Sequence, residues 1–310
     1  MNVFIIFANT SLMENTFSYH DFPSIPSLRN LNKPYDSLDG GNATKGDIID
    51  YYICVAPYLL HHITDKPFSM IHTPEGVRGS KTFYQKERPS NAPEWLKSVA
   101  VPSSKRGVIN WCLVNDTASL VYMVSRSVIE THTWFSRYPN LDKPDIAVID
   151  LDPSGESGFN ETVITAKAFE ALLAKLEVFS IPKTSGGKGM HICIPIIPAP
   201  YHEVQIFLNT LCGVIANTLP NITTLERGVQ KRGNKVYLDA VQFGQGKTIA
   251  SAYSLRAKKG LPVSTPLFWH ELDEIKDPAS INIYNIFDRL SKIGDPMKGF
   301  YDKGQKLPRL

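Results

Sequence analysis

The chain is short of cysteine, of long apolar runs, of repeats and of net charge, and each shortage narrows what it can be. Its four cysteines, Cys54, Cys112, Cys193 and Cys212, lie far apart and form no C-x-x-C pair. That spacing argues against zinc, and three of them sit in apolar runs, where buried free thiols in a reducing cytoplasm are the default. No stretch is long enough to span a bilayer, so no membrane partner is expected. The apolar start, Val3 to Ala8, is too short for a signal peptide and lacks its basic flank. Sequons such as Asn42-Ala43-Thr44 therefore carry no weight. A formal net charge of +3 is too small to identify a nucleic-acid partner by itself. Charge distribution has to decide.

What remains is an ordinary globular composition, 43% apolar and 20% charged over 310 residues. That length can bury a core as one large domain or as two intimate subdomains. Between Leu225 and Gly260 the basic residues are Arg227, Lys231, Arg232, Lys235, Lys247, Arg256, Lys258 and Lys259, against only Glu226 and Asp239. Such an excess suits a polyanion, and it equally suits a solvated basic face.

Residues 1–27, rich in Ser, Asn and Pro, read as an N-terminal extension, and 28–310 as the body. Thr44 to His62 is predicted as a helix, with Thr44 as N-cap, Asp47 three residues on, and Ile48, Ile49, Tyr52, Val55 and Leu59 inward. Alternating runs from Pro67 to Val114 predict a meander of strands, with an exposed basic hairpin tip at 102–107. A helix over Asp116–Val124 and an extended run over Ile129–Phe135 follow. The second half predicts a strand at Ile146–Leu151 and a helix at Glu161–Leu176 burying Ala166, Phe169, Leu172, Leu173 and Leu176. Strands at Val178–Thr184 and His191–Pro195, a helix at Val204–Leu219, and strands near Val236–Gln242 and Ile249–Ser254 complete it. This β-α-β-β-α-β order predicts a two-layer, RRM-like arrangement.

Three segments carry chemistry. The first, Ala147 to Pro153, ends an apolar run in Asp150 and Asp152, which share one face of a strand. Two carboxylates roughly 6–7 Å apart repel by about 2.5 kcal/mol at an effective dielectric of 20, a cost that a cation or a basic partner relieves. A lone D-x-D is weak, since many strands end in Asp. Asp239, ending the run Val236-Tyr237-Leu238, adds a third hard oxygen ligand. Three carboxylates could hold two magnesium or manganese ions for nucleotidyl transfer. The third segment is the Gly-rich turn Ser185-Gly186-Gly187-Lys188-Gly189, where backbone N–H groups can converge, Ser185 can donate and Lys188 can place a charge on phosphate. A plain hairpin with a solvated lysine is the bland alternative. Gly244-Gln245-Gly246-Lys247-Thr248 imitates the end of a P-loop but lacks the first glycine and the strand-loop-helix context, so an NTPase loop is rejected. His132, beside aromatics, is compatible with a structural or a functional role. Arg232 and Arg256 suit phosphate or mere solubility. Phe83 and Tyr84 could stack on a base or lie in the core.

Taken in order, these segments resemble the polymerase domain of bacterial ligase D, the repair branch of the archaeo-eukaryotic primase superfamily. The likeness begins at Leu31-Asn32-Lys33. It runs through Thr44-Lys45-Gly46-Asp47, Phe83-Tyr84-Gln85-Lys86, Ile129-Glu130-Thr131-His132-Thr133-Trp134 and the D-L-D-P segment. It continues through K-T-S-G-G-K-G-M-H, Leu238-Asp239, Tyr253-Ser254-Leu255-Arg256 and Pro262-Val263-Ser264-Thr265-Pro266-Leu267. The fold implied is a primase-like α/β core, its RRM-like sheet packed with a second sheet and flanking helices.

By position, the resemblance implies that Asp150, Asp152 and Asp239 bind two Mn2+ or Mg2+ ions. It implies that His132, Ser185, Lys188, Arg232, Gln242 and Arg256 line a nucleotide pocket. Lys33 and Lys45 match lysines that hold a downstream 5′-phosphate, and Phe83 and Tyr84 an aromatic pair near the template. The free N–H groups of a helix starting at Lys45 would favour that phosphate. The activity implied is template-directed filling of gaps and ends in double-strand break repair, with ribonucleotides preferred. The partners implied are gapped or broken DNA, NTP or dNTP, a Ku-like protein and a DNA ligase, in a prokaryotic, nucleoid-associated setting. Two features depart from the family: a slightly longer Lys33–Lys45 interval, with Gly40-Gly41-Asn42, and Ile71-His72-Thr73 where arginine is usual before Pro74-Glu75-Gly76. With no ligase or nuclease segment in the sequence, the chain reads either as a separately encoded repair polymerase or as an excised domain, and the natural-looking N-terminus favours the former. A de novo primase and a catalytically silent end-bridging module, using Lys105 and Arg106, are the alternatives.

Overall fold

The computed structural model describes residues 28–36, 43–77, 79, 81–103 and 106–310. The extension expected over 1–27, the Gly40–Asn42 stretch, and Ser104 and Lys105 of the expected hairpin tip lie outside the described residues. The chain divides into two compact units. The first comprises the described residues up to Thr133 with Ala250–Val263 and Ile281–Asp295, and the second Trp134–Ile249, Ser264–Ser280 and Pro296–Leu310.

In the first unit, β1 (Pro34–Asp36) pairs antiparallel with β2 (Ala43–Thr44), which leads into α1 (Lys45–Ile63). The predicted cap forms: Asp47 N–H donates to Thr44 Oγ1 at 3.2 Å, and Thr44 N–H donates to the Asp47 carboxylate at 2.7 Å. Such a capping box stabilises a helix start by about 1 kcal/mol. Ile48, Ile49, Tyr52, Val55 and Leu59 are buried, as their helical spacing predicts. Next come β3 (Pro67–His72), β4 (Phe83–Gln85), β5 (Ser98–Ser103), β6 (Gly107–Leu113), α2 (Thr117–Ser125, capped by Asp116) and β7 (Val128–Thr133). The strands do not form a simple meander. β3 lies between β7 and β6, with β4 also paired to it and β5 beyond β6. The reason is burial: β3 is buried almost throughout and needs neighbours, whereas β5 alternates exposed and half-buried residues and carries Pro102, which suits an edge.

The second unit holds β8 (Ile146–Pro153), α3 (Phe159–Lys175), β9 (Ile181–Thr184), β10 (Met190–Pro195), α4 (Tyr201–Thr218), β11 (Thr223–Thr224) and β12 (Val236–Asp239). Its sheet order is β11-β12-β8-β10-β9. Apart from the short β11, the predicted β-α-β-β-α-β chain therefore lies fourth-first-third-second, the RRM-like order, with antiparallel neighbours. In α3, Ala166, Phe169 and Leu173 are buried as expected, but Leu172 and Leu176 are only half-buried. Thr162 and Thr165 take inward places instead, because their hydroxyls donate back to the carbonyls of Gly158 and Glu161 at 3.1 and 2.7 Å. The chain then returns to the first unit's sheet through β13 (Ile249–Ala250), which pairs with β7, and later supplies that unit with α5 (Ile286–Ile293).

None of the four cysteines forms a disulfide, and burial pushes the thiols of Cys54, Cys112 and Cys212 up to about 11, 12 and 12, so none of these three is a nucleophile at neutral pH. No helix among the described residues is long and apolar enough to cross a membrane.

Candidate active site

The second unit's sheet sets the carboxylates by register. β8 is a central strand; Asp239 of β12 lies directly opposite Asp150 on one side, and His191 of β10 on the other. Asp152, two residues along, shares the Asp150 face and lies opposite Tyr237. Each acid meets a basic or N–H group. Asp150 Oδ1 is 3.6 Å from His191 Nε2, and Arg232 Nη1 donates to Asp152 Oδ2 at 3.0 Å. Asp239 Oδ1 accepts the Gln242 N–H at 2.7 Å and the Tyr237 hydroxyl at 3.3 Å.

Arg232 is no solubility residue. Its side chain is 10% exposed, its guanidinium sits 3.9 Å over the Tyr237 ring, and it also reaches Ser154 Oγ and the Arg227 carbonyl. The Gln242 side chain closes on the Thr248 carbonyl at 2.8 Å. The Gly244–Thr248 loop is followed by β13 and not by a helix, so the rejection of a P-loop holds.

As the side chains lie, no three His, Cys, Asp or Glu residues among the described ones form a group that could hold a metal. Asp152 is engaged by Arg232, and Asp239 by the Gln242 N–H. The donor chemistry nevertheless fits a hard divalent cation. All three ligand candidates are carboxylates on adjacent paired strands, and neither Asp152 Oδ1 nor Asp239 Oδ2 accepts a hydrogen bond among the described residues.

The Gly-rich turn joins β9 to β10. Gly186 has φ +65°, and a Cβ on Gly189 would lie 2.0 Å from the Leu151 carbonyl oxygen, so the turn is pressed against the carboxylate strand. Its N–H groups do not all converge on an open cradle. Those of Gly187 and Gly189 donate to Ser185 Oγ at 3.1 and 3.2 Å, so the Ser185 hydroxyl oxygen is engaged within the turn itself. Lys188 is exposed and makes no hydrogen bond or ion pair among the described residues. Beneath the turn, the buried Lys183 ammonium donates to His191 Nδ1 at 2.8 Å and to Ser264 Oγ. Both His191 and Lys183 went unassigned from sequence, although His191 ends the K-T-S-G-G-K-G-M-H segment. Only register puts it beside Asp150.

The first unit gathers His132 and Arg256 on one acid. Glu130 Oε2 accepts from His132 Nε2 and from Arg256 Nε, each at 2.9 Å, and Oε1 accepts the Ala257 N–H at 3.0 Å. Burial works to raise the Glu130 carboxyl. The hydrogen bond from His132, the charge of Arg256 and the Ala257 N–H outweigh it and hold the group at about 2.

Lys45 opens α1 as predicted and is buried, its ammonium donating to the Arg29 carbonyl at 3.2 Å, while exposed Lys33 donates to Pro74 O at 2.6 Å. The first N–H groups of α1 are not free. Those of Lys45 and Gly46 donate to the carbonyls of Lys33 and Leu31, and that of Asp47 to Thr44. Burial, then the charge of Lys33, lowers the pKa of Lys45. The two ammonium groups thus feel each other. Phe83 and Tyr84 are 51% and 47% exposed and are not core residues. Phe83 stacks on His72, with ring centroids 4.5 Å apart and planes 10° off parallel, and the Tyr84 hydroxyl donates to Ser69 Oγ.

The family described as "LigD, primase-polymerase domain" matches residues 44–297. The chain belongs to the LigD primase-polymerase family. It is 32% identical over 291 residues to the bifunctional non-homologous end joining protein LigD of Bacillus subtilis, covering 93% of this chain and 46% of that protein. It is 28% identical over 268 residues to the multifunctional LigD of Pseudomonas aeruginosa, covering 86% and 32% respectively. The chain thus spans from about a third to about half the length of these LigD relatives. Among solved structures, it resembles the polymerase domain of Mycobacterium tuberculosis ligase D in complex with DNA, with a TM-score of 0.81 and 26% identity, covering 89% of this chain and 98% of that one. Membership of the LigD primase-polymerase family implies a divalent metal requirement.

Proposed function

We propose that this chain is a template-directed nucleotidyltransferase that fills short gaps and ends during non-homologous end joining, with 28–310 as its catalytic domain. The observation that carries this reading is the register of Asp150, Asp152 and Asp239 with the Gly-rich turn seated on the same strand. Asp150, Asp152 and Asp239 would hold Mn2+ or Mg2+. Two bound cations supply activation of the primer hydroxyl and charge neutralisation of the triphosphate and leaving pyrophosphate.

The chain's own groups do the rest. Arg232, which pairs with Asp152 at 3.0 Å, would place its guanidinium beside the triphosphate next to the carboxylates that would hold the cations. Ser185 donates its hydroxyl hydrogen, and Lys188 adds a point charge. His132, Arg256 and Gln242 complete the nucleotide contacts, with ribonucleotides preferred over deoxyribonucleotides. Exposed Phe83, backed by His72, and Tyr84 offer faces for template bases. Lys33 and Lys45 take the downstream 5′-phosphate, an anion that would relieve their mutual repulsion. The partners are gapped or broken-ended DNA, NTP or dNTP, a Ku-like end binder and a DNA ligase, in a prokaryotic cytoplasm near the nucleoid.

Extension of a 5′-phosphorylated gapped duplex, with rNTPs and dNTPs in parallel, tests the proposal. The Asp150→Ala/Asp152→Ala variant is expected to lose at least about a thousandfold in rate. Equal extension by both proteins would sink the mechanism. Dinucleotide synthesis on a primer-free single strand would reassign the chain as a de novo primase.

A further inference from the structure

We propose that Glu130 is a positioning residue for nucleotide binding: one buried carboxylate that orients His132 and Arg256 together and selects the Nε2–H form of His132. The inference rests on the reading of His132 and Arg256 as nucleotide contacts. An ionised carboxylate accepts only, so both of its oxygens must face N–H groups. Glu130 has three such donors, His132 Nε2, Arg256 Nε and Ala257 N, all within 2.9–3.0 Å. His132 is thereby committed through Nε2, and its Nδ1 is the ring nitrogen turned away from the carboxylate. His132 and Glu130 lie two apart on β7 and so share a face, while Arg256 arrives from 126 residues downstream.

The backbone around this acid is fixed from both sides. The Tyr52 hydroxyl donates to the Ile129 carbonyl and accepts the Leu255 N–H, Ser254 Oγ accepts the Thr131 N–H, and the Tyr51 hydroxyl donates to the Tyr253 carbonyl. The strand bearing Glu130 and the segment bearing Arg256 are therefore held in place before any ligand arrives, and Glu130 sets only the side chains. The charged or titratable groups facing Glu130 are His132 and Arg256, with the Tyr52 phenol beside it. Its carboxyl stays ionised down to pH about 2, so the orienting charge persists across the working range. Glutamine cannot replace it. The amide oxygen can accept from some of the donors, but the NH2 would then confront another N–H.

The test compares wild type, Glu130→Gln, His132→Ala, Arg256→Ala and the pairwise combinations in primer extension. Glu130→Gln should raise KM for the nucleotide about tenfold or more and leave kcat within about threefold, since the carboxylates of the second unit are untouched. In the His132→Ala/Arg256→Ala background the same change should add less than about twofold. If His132→Ala and Arg256→Ala leave KM unchanged, the nucleotide-pocket reading itself fails. If they raise KM and Glu130→Gln does not, the positioning role alone fails. The wild-type protein gives an independent check by 15N NMR of histidine-labelled enzyme at alkaline pH. Neutral His132 should be the Nε2–H tautomer, and an Nδ1–H tautomer would overturn the proposal whether or not the variants fold.

Discussion

The two units carry charge clusters of opposite imbalance. In the second, three carboxylates, Asp150, Asp152 and Asp239, share Arg232, His191 and a backbone N–H, so acid exceeds committed base. In the first, a single carboxylate, Glu130, is divided between His132 and Arg256, and two lysines, Lys33 and Lys45, lie close enough to depress a pKa. An acid surplus on paired strands invites cations, and a base surplus invites phosphate. The sign of the imbalance, more than any single motif, matches the ligand proposed for each cluster.

The comparison can be broken most severely at Gly189. Gly189→Ala sets a Cβ against the Leu151 backbone oxygen, which cannot swing aside. It should destabilise the protein by roughly 3 kcal/mol or more, read as a large fall in Tm together with loss of extension. A Tm within a degree or two of wild type would show that the turn does not bear on the acid strand. Arg232→Ala comes next. It deepens the acid surplus by freeing Asp152, and it should cut kcat/KM about 10- to 100-fold and lower stability by about 1–3 kcal/mol, since the nearly buried side chain also loses its stacking on Tyr237. Arg232→Lys should not restore activity, because lysine lacks the planar fork that stacks on Tyr237; full rescue would reduce Arg232 to a bare charge. The smallest effect is expected at Lys45→Ala. Preference for a downstream 5′-phosphate over a hydroxyl end should fall about three- to tenfold in gap filling, with extension of a simple primer-template unchanged. Unaltered discrimination would remove Lys45 from the base-rich cluster.

Much of the fold was legible because local rules agree with tertiary demand. The Thr44–Asp47 box, the apolar runs leading to Asp150 and Asp239, and the β-α-β-β-α-β order all survive in the structure. What escaped depends on register or on long sequence separation. Asp152 and Arg232 are 80 residues apart, and Glu130 and Arg256 are 126 apart. No periodicity links such pairs. The β3-centred sheet was misjudged as a meander because alternation predicts strands but not which edge each will find. The helix-start argument at Lys45 failed in part for a simpler reason: β1 and β2 bring the Lys33 and Leu31 carbonyls to N–H groups that an isolated helix would leave open.

The seat of Gly189 on Leu151 also divides the Gly-rich turn by how much change it can tolerate. On the side facing β8 there is no room for one methyl group, so that half is closed to variation. Lys188, one residue earlier, projects from the surface, so its side chain can be lengthened, shortened or recharged without disturbing the strand beneath. Under the triphosphate role proposed for Lys188, retuning the turn has its entry point at position 188 and a fixed boundary at position 189.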